Sequence, residues 1–380
     1  MNIPVSEKQL RIGFDAKRIF RNPTGLGNYS RFVVESLMDN FPQHRYYLYT
    51  PDARNDLFTE NSTKFIIQTP QGLLNSLVPS LWRSFSLPHQ LNQDGLDVYH
   101  GLSNELPFGI RSFKGKKIVT IHDLIFLRYP QYYNTIDRLI YTRKFKYACN
   151  EADLIIAISE QTAQDMIDFF GIAAKKIKVV YQDCHPRFRT RASDTDRKRV
   201  QLKYQLPETF LLNVGTHEPR KDQLNLIKAF HQANLAGMEL VLVGRETAYT
   251  QKLHQEAQEK GIHSKVHFIH HMEPADLPVV FQLATLFVYA SEFEGFGIPV
   301  LEAFRSEVPV ILAQTSSLVE VGGKAAAYFP AGNSNTLAEQ MQFLAGDPSE
   351  RIRLIQAGNV QKQLFDSTMI SKQLMEIYTH

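Results

Sequence analysis

The sequence has 380 residues, which is longer than most single domains and favours two separate hydrophobic cores. Its composition, 43% hydrophobic and 21% charged, is that of a globular protein rather than a disordered chain. Forty-two basic and 39 acidic residues give a formal net charge of +3, which is too small to indicate nucleic acid as the main partner.

Cysteine usage and the amino-terminal residues bear on location. Cys149 and Cys184 are too few for a disulfide framework and lack the clustered Cys/His spacing of a zinc site. The first residues show no secretory hydrophobic region, and no run reaches the ~18 apolar residues of a membrane span. We therefore expect a cytoplasmic protein without a bound metal, either soluble or resting on the inner face of the membrane.

Short apolar runs rich in Ile, Val, Leu and Phe recur along the chain and predict buried strands. In chain order they are RIGFDA, YYLY, KFIIQ, DVYHG, KKIVTIHD, DLIIAIS, KVVY, FLLNVG, ELVLVG, KVHFI, LFVYAS and VPVILA. Amphipathic helical stretches such as YSRFVVESLMDNF and QLNLIKAFHQANL separate many of them. This alternation predicts an α/β protein with parallel sheets covered by helices on both faces.

The alternation pauses over residues 183–207, which are polar, charged and include two prolines. We place an interdomain linker there. A new strand from Phe210 to Val214 then ends in glycine, as the first strand of a second nucleotide-binding half would. The sequence thus predicts two Rossmann-like, doubly wound domains with a cleft between them, over residues 1–190 and 191–365.

Residues 291–304, SEFEGFGIPVLEAF, carry the strongest local signal: a strand, a glycine-containing loop and a helix start in series. Gly295 and Gly297 permit a ligand to approach the backbone, and the free amides and dipole of the helix attract phosphate. Glu294 and Glu302 flank this anion site from its two ends. The alternative is an ordinary strand-to-helix turn, in which Glu302 only interacts with the helix dipole.

The stretch EGFGIPVLEA resembles the Glu-x7-Glu signature of family 4 glycosyltransferases. The resemblance implies that Glu294 contacts the donor sugar and Glu302 the nucleotide ribose. It also implies donor binding by the loop that contains Phe296.

The same resemblance implies the GT-B architecture. Residues 1–190 are expected to form the Rossmann-like acceptor domain and residues 191–365 the nucleotide-sugar donor domain. The final helix, residues 366–380, is expected to cross back and pack on the first domain.

A second cluster, NVGTHEPRKDQLNLIKAF, follows the strand that ends at Gly215 and Thr216. Arg220 and Lys221 place positive charge at the carboxyl edge of the second sheet, where doubly wound folds bind ligands. An isolated Arg-Lys pair is more often a solvated surface pair. The stretch is similar to the family's phosphate-binding sequence Glu-Pro-Arg-Lys-Asn, with Asp222 in place of the asparagine, which implies that the basic pair stabilises a leaving diphosphate.

Gly25 and Gly27 precede a predicted helix just after the first strand. Alone, this Gly-x-Gly spelling fits a plain tight turn as well as a ligand loop. The motif resembles the Gly-x-Gly-x-Tyr loop of the family, which implies that it faces the donor phosphates.

His122 ends a predicted parallel strand, where side chains reach a ligand cleft. A lone histidine is more often a structural hydrogen-bonding group. The stretch HDLIFLRYP resembles the family's His-Asp motif, which implies that the imidazole contacts the donor sugar. His100 leaves function and structure equally open, and Arg245 fits either nucleotide contact or a surface salt bridge.

Breaking the bond to a diphosphate places negative charge on the leaving oxygens, so a positive group is required. Asp194 and Asp196 have the Asp-x-Asp spelling that holds a metal in the other large glycosyltransferase fold, but they lie in the predicted linker, at a helix start. We therefore assign this role to Arg220, Lys221 and the helix following Gly297, without a metal. By resemblance, the reaction retains the anomeric configuration.

Three other functions were weighed. A glycosidase using Glu294 and Glu302 as acid and base leaves the glycine loops and basic pair unexplained. A dinucleotide oxidoreductase lacks the third glycine or alanine of G-x-G-x-x-G after the first strand. A catalytically silent nucleotide-sugar scaffold or sensor differs only in lacking turnover.

The resemblance also implies the substrates: a nucleotide-diphosphate sugar donor, GDP-mannose before UDP-glucose, and a saccharide or lipid-linked acceptor in surface polysaccharide synthesis. No separate cofactor is expected. Residues 76–91 and 138–146 combine apolar and basic side chains. They fit either a peripheral membrane contact or, as we favour, buried helices with solvated charges.

Overall fold

The computed structural model describes residues 8–52, 57–58, 64–70 and 81–380. These residues form two compact units. The first comprises the described residues up to Gln182 together with Asp366–His380, and the second comprises Asp183–Phe365. The chain therefore returns to the first unit for its last helix.

The first unit contains, among its described residues, a seven-stranded sheet in which all neighbouring strands are parallel. The strands are β1 Arg11–Asp15, β2 Arg45–Tyr49, β3 Phe65–Gln68, β4 Val98–Gly101, β5 Lys116–Ile121, β6 Leu154–Ala157 and β7 Ile177–Val179. Their order is β3-β2-β1-β4-β5-β6-β7. The connections run in opposite directions on the two sides of the β1–β4 pair, which makes this pair the topological switch point where such folds bind ligands.

Helices flank this sheet, and capping residues that can be recognised in the sequence begin and end some of them. The described α-helices are Gly25–Asn40, Leu87–Gln93, Ile125–Arg128, Thr135–Glu151, Glu160–Phe170 and Ser367–Thr379. For example, the Ser159 side chain accepts from the Thr162 amide at a helix start, and Gly171 ends that helix at φ 69°. Among the described residues, no helix is both long and apolar enough to cross a bilayer.

The second unit, described throughout, has a six-stranded parallel sheet of order β10-β9-β8-β11-β12-β13. Its strands are β8 Phe210–Val214, β9 Glu239–Val243, β10 Val266–Ile269, β11 Leu286–Tyr289, β12 Val310–Ala313 and β13 Ala326–Phe329. The sequence reasoning missed β13, because AAYF is short and half its residues are alanine. The switch point in this sheet is the β8–β11 pair.

The helices of the second unit occupy the connections between these strands. They are Asp194–Lys203, Gln223–Ala233, Thr250–Glu259, Leu277–Leu283, Ile298–Arg305, Ser316–Gly322, Ser334–Gly346 and Pro348–Gln361. Together the two units confirm the predicted α/β architecture with two Rossmann-like parallel sheets.

The segment 183–207 differs from the predicted linker. The boundary lies at Asp183 rather than between residues 190 and 191, and the segment belongs to the second unit. The Asp183 carboxylate accepts from Arg189 at 2.6 Å and from Arg305 at 2.7 Å, while Phe188 is buried. The sequence did not predict these contacts, because the segment is mostly charged and has few apolar residues to indicate a packed face.

Candidate active site

The carboxyl ends of β8 and β11 lie side by side, since Leu211 pairs with Leu286 in the parallel register. After β8 the chain passes through Gly215 to a single 3-10 turn, Pro219–Lys221. After β11 it enters the glycine-containing loop that leads to the helix Ile298–Arg305. The two sequence motifs, far apart in the chain, therefore meet at the switch point of this sheet.

Lys221 is the centre of a buried polar cluster. Its Nζ donates to Glu294 Oε1 at 2.5 Å and to the Tyr289 hydroxyl at 2.7 Å. The Tyr289 hydroxyl in turn donates to Glu294 at 3.0 Å. Arg220 Nη1 lies 3.1 Å from the same carboxylate oxygen and also donates to the Phe293 carbonyl at 2.6 Å. The structure thus brings Arg220, Lys221 and Glu294 together, and it adds Tyr289, which the sequence reasoning did not single out.

The two cations of this cluster keep the Glu294 carboxyl ionised. Burial alone would raise the pKa of the Glu294 carboxyl, but the adjacent Lys221 and Arg220 charges outweigh it and lower that pKa to about 2. Glu294 is therefore ionised at neutral pH although only 8% of it is exposed. A second carboxylate, that of the partly exposed Glu218, accepts from Arg220 at 2.6 Å, so two carboxylates face the two cations at the mouth of the β8 and β11 loops.

Gly297 shapes the start of the helix Ile298–Arg305. Its backbone is left-handed, with φ 112° and ψ 48°, and a Cβ here would come within 2.8 Å of the Leu318 side chain. Only glycine meets both conditions without strain. The predicted order of glycine loop, helix start and Pro299 in the first turn is confirmed.

Ser317 holds the loop in place from the neighbouring helix. Its hydroxyl lies 2.9 Å from the Glu294 carbonyl and 2.8 Å from the Phe296 carbonyl, in donating position to both. The Phe296 ring is buried, 5.7 Å from the ring of Phe365, and Gly295 is buried as well. For Phe296 the described contacts are therefore packing contacts. The position of Ser317 at the start of a helix was the only signal available in the sequence.

Glu302 lies on the helix Ile298–Arg305, as predicted, and is partly exposed. Burial raises the pKa of its carboxyl to about 8, although the Arg187 charge opposes the shift. A carboxyl in this state can donate as well as accept a hydrogen bond near neutral pH. Its neighbour Arg187 comes from the segment that was mistaken for a linker.

The loops after β8 and β9 hold the remaining predicted residues of the second unit. Gly215 donates its amide to the Val243 carbonyl at 2.9 Å, and the Thr216 carbonyl accepts from Gln223 at 3.1 Å. Gly215 lies beside Lys221, because a Cβ on it would come within 3.7 Å of Lys221 Cε. The Arg245 side chain is exposed, so the structure does not join it to the Lys221 cluster.

In the first unit, His122 follows β5 and is buried. Its Nε2 lies 2.9 Å from the Leu102 carbonyl, which can only accept, so Nε2 carries the proton and Nδ1 is the acceptor nitrogen. The ring meets Tyr29 edge-on with centroids 4.6 Å apart. Burial lowers the pKa of His122 to about 4, which keeps it neutral.

His100 has a structural role in the described contacts. It is completely buried, with Nδ1 2.7 Å from the Tyr378 hydroxyl and Nε2 2.8 Å from Thr120 Oγ1. Thr120 also contacts the Tyr29 hydroxyl at 3.0 Å. These hydrogen bonds link the final helix to the strands of the first unit and support the structural alternative for His100.

The two glycines near the first strand differ in their surroundings. A Cβ on Gly25 would meet no atom within 4 Å, whereas one on Gly27 would lie 1.9 Å from the Asn22 carbonyl oxygen. Gly27 is therefore required by packing, and Gly25 is open to a ligand.

Asp194 and Asp196 begin a helix, as predicted, and the Asp196 amide donates to the Ser193 hydroxyl at 3.1 Å. Among the described residues, no group of three or more His, Cys, Asp or Glu side chains is arranged to hold a metal ion.

Two protein-family models match this sequence. The model described as "Glycosyltransferase Family 4" matches residues 24–182, and the model described as "Glycosyl transferases group 1" matches residues 194–361. The first match falls within the first unit and the second match within the second unit. The family models thus cover every strand of the second sheet and every strand of the first except β1.

Several curated proteins are similar over part of their length. O-antigen chain mannosyltransferase B of Escherichia coli is 30% identical over 236 residues, which cover 60% of each chain. O-antigen chain mannosyltransferase RfbU of Salmonella typhimurium is 26% identical over 55% of each chain. The alignment with the serotype-specific mannosyltransferase WbdA of Escherichia coli spans only 26% of that longer protein.

Solved structures share the fold over nearly the whole chain. Sucrose-phosphate synthase from Thermosynechococcus elongatus superimposes with a TM-score of 0.78 at 20% identity, covering 98% of both chains. Anabaena HepE in complex with UDP gives a TM-score of 0.74 at 18% identity, covering 98% of this chain and all of that one. These structural matches show the fold, and the two family models over residues 24–182 and 194–361 show that the chain belongs to the family 4 glycosyltransferases.

Proposed function

We propose that this protein is a retaining, metal-independent hexosyltransferase that moves mannose from GDP-mannose to a hydroxyl of a saccharide or lipid-linked acceptor in surface polysaccharide synthesis. The names of the O-antigen mannosyltransferases to which it is similar support this choice of sugar and pathway class. No cofactor takes part in the proposed reaction, because the nucleotide sugar is itself a substrate.

The observation that carries the proposal is the Lys221 cluster beside the start of the helix Ile298–Arg305. In a transfer reaction the bond from the sugar carbon to the diphosphate oxygen breaks, and negative charge develops on the leaving oxygens. An ammonium group has three donor hydrogens, and described residues use two of those on Lys221. The third, with Arg220 and the helix dipole, can stabilise the leaving diphosphate.

The remaining steps assign roles to the other predicted residues. Glu294, held ionised, accepts hydrogen bonds from the donor sugar, and Glu302 binds the ribose. Gly25, Gly215, Thr216, Gly295 and Gly297 present backbone to the donor, and His122 contacts the sugar. The acceptor hydroxyl attacks the anomeric carbon on the face that the diphosphate leaves, and its proton passes to a leaving phosphate oxygen.

Turnover with purified protein tests the proposal most directly. GDP-mannose and UDP-glucose are offered separately, and binding is followed by the shift in unfolding temperature, because a ligand selective for the native state stabilises it. We expect GDP-mannose to give the larger shift and the faster turnover, undiminished by a chelator, and the product to keep the α configuration. Loss of activity with the chelator would overturn metal independence, and stable binding without turnover would favour a sensor.

Lys221→Ala provides the matched test of the cluster. We expect about a 100-fold loss of turnover because a positive group near the leaving diphosphate is removed. Lys252→Ala, an exposed lysine on the helix Thr250–Glu259, serves as the control and should retain turnover. Equal activity of the two variants would contradict the assigned role of Lys221.

A further inference from the structure

A second concave site lies in the first unit at its own topological switch point. Asp15 ends β1, and Glu105 follows β4, the strand that pairs with β1. Their side chains, with Arg83, Phe108, Lys144 and Tyr147, line a cavity of about 140 Å³. A water needs about 10–15 Å³ by this measure, so the cavity accommodates on the order of ten non-hydrogen atoms, close to one hexose unit.

The four charged side chains that line this cavity balance one another, Asp15 and Glu105 against Arg83 and Lys144. Glu105 accepts from Lys17 at 2.9 Å and from Arg83, and it lies 3.6 Å from Lys144 Nζ. Asp15, with 3% exposure, lies 3.5 Å from Arg83 and 4.0 Å from Lys17. Lys17 is a third cation that is not among the lining residues, and all three cations already face carboxylates. A phosphate would have to displace these pairs and would be repelled by the two acids, so the site is poorly suited to an anion.

The same arrangement suits neutral hydroxyl groups. A hydroxyl both donates and accepts, and here carboxylate acceptors alternate with ammonium and guanidinium donors within a few ångströms. Burial opposes ionisation of Glu105, but the Lys17 and Arg83 charges lower its pKa to about 2, so it is an acceptor at all physiological pH values.

Phe108 and Tyr147 are the aromatic lining residues of the cavity, and Phe85 lies against Phe108 without lining it. The ring of Phe108 lies 4.9 Å from that of Tyr147 and 6.0 Å from that of Phe85, and the Phe85–Phe108 pair is stacked. Phe85 is 64% exposed and Phe108 is 36% exposed, so apolar faces remain open to solvent. The negative face of an aromatic ring attracts the polarised C–H groups that line one side of a sugar ring.

We propose that the cavity between Asp15, Glu105 and Phe108 binds a neutral, unphosphorylated saccharide unit of the acceptor, with the charged pairs holding its hydroxyls and the aromatic wall its apolar face. Only the identification of the bound saccharide as the acceptor rests on the proposed function, because saccharide binding itself can be measured without a donor. It adds a specificity: the recognised part of the acceptor carries no phosphate.

Saturation-transfer NMR on the full chain tests the inference, with methyl α-mannoside, methyl α-glucoside and methyl α-galactoside as probes. We expect at least one to bind in the millimolar range, and inorganic phosphate not to displace it. Phe108→Ala should weaken binding about tenfold through loss of the aromatic wall. Phe343→Ala, which removes a phenylalanine 53% exposed in the second unit, is the matched control and should leave binding unchanged.

Glu105→Gln keeps the shape of the side chain but breaks the charge balance, and we expect it too to weaken saccharide binding and to allow phosphate to compete. Failure of all three saccharides to bind, or displacement by phosphate in the unaltered protein, would overturn the inference. GDP-mannose turnover in the same preparation separates the two proposals: saccharide binding without turnover removes only the proposed function, and turnover without saccharide binding removes only this site.

Discussion

Asp222 is the least favourably placed acid near the Lys221 cluster. Its backbone is left-handed, with φ 51° and ψ 36°, and its Oδ2 is buried without a hydrogen-bond partner among the described residues. Burial first, and the nearby Glu292 charge second, raise the pKa of the Asp222 carboxyl to about 7. The asparagine that resembling sequences carry here would avoid this cost, because its amide does not ionise and tolerates the same backbone conformation.

Asp222→Asn should therefore stabilise the fold in a pH-dependent way. The folded pKa lies above the unfolded value, so the wild-type protein loses stability as pH rises from about 4 to about 7 and carries the full penalty above pH 7. We expect urea unfolding to show a gain of about 1 kcal/mol at pH 8 and a smaller gain at pH 4. Glu292→Gln should reduce the gain; an equal gain at both pH values would refute the electrostatic cause.

At the start of the helix Gly25–Asn40, the effects of packing and of ligand binding can be tested at two different glycines. The chain leading into this helix is fixed by Arg31, which donates to the Ile19 carbonyl at 2.6 Å and to the Asn22 carbonyl at 3.0 Å. Gly27 lies against the same Asn22 carbonyl, and Gly25 does not. One motif thus contains a structural glycine and an open one.

Alanine substitutions at the two positions should behave differently. Gly27→Ala forces a backbone shift and is expected to cost about 3 kcal/mol of unfolding free energy. Gly25→Ala should leave stability within about 0.5 kcal/mol while weakening GDP-mannose binding, if backbone there meets the donor. Urea unfolding and donor titration of both variants measure the two effects, and a large stability loss in Gly25→Ala would argue against its open position.

One helix on the surface of the first unit exposes large apolar side chains. The helix Thr135–Glu151 exposes Ile136, Leu139 and Ile140 at 70%, 66% and 44%. It also carries four basic and two acidic residues. The buried helix favoured from the sequence for residues 138–146 is therefore wrong at Leu139 and Ile140. We propose that this face rests on an anionic bilayer, where apolar side chains enter the headgroup region and basic ones attract the lipids. Trp82 has no such role, because it is buried and donates to Gln90 at 2.8 Å. The part of 76–91 before residue 81 lies outside the described residues.

Flotation with lipid vesicles tests the membrane contact. We expect the protein to float with vesicles containing phosphatidylglycerol and less so at high salt, because surface attraction is screened. Replacing Ile136, Leu139 and Ile140 by serine should abolish flotation. Leu202→Ser, a leucine 79% exposed in the second unit, should not. Equal flotation with uncharged vesicles would contradict the electrostatic part.

The class of fold and the positions of most strands could be predicted from local sequence patterns, because buried parallel strands appear as short apolar runs whichever strands they pair with. It also placed Arg220, Lys221 and Glu294 at strand ends. Since carboxyl ends of parallel strands share one edge of a sheet, their meeting could be anticipated although Lys221 and Glu294 are 73 positions apart. Assigning their roles required the family resemblance.

Contacts between groups with ordinary local patterns could not be predicted in this way and became known from the folded chain. In the sequence, Tyr289 has the pattern of an ordinary strand residue and Ser317 that of a serine at a helix start. His100 forms a hydrogen bond with Tyr378, which is 278 positions away. The balanced cavity around Asp15 and Glu105 left no motif at all, because its charges come from separate segments. Local periodicity reports burial and conformation, whereas charge balance and hydrogen bonding depend on which distant residues the completed fold brings together.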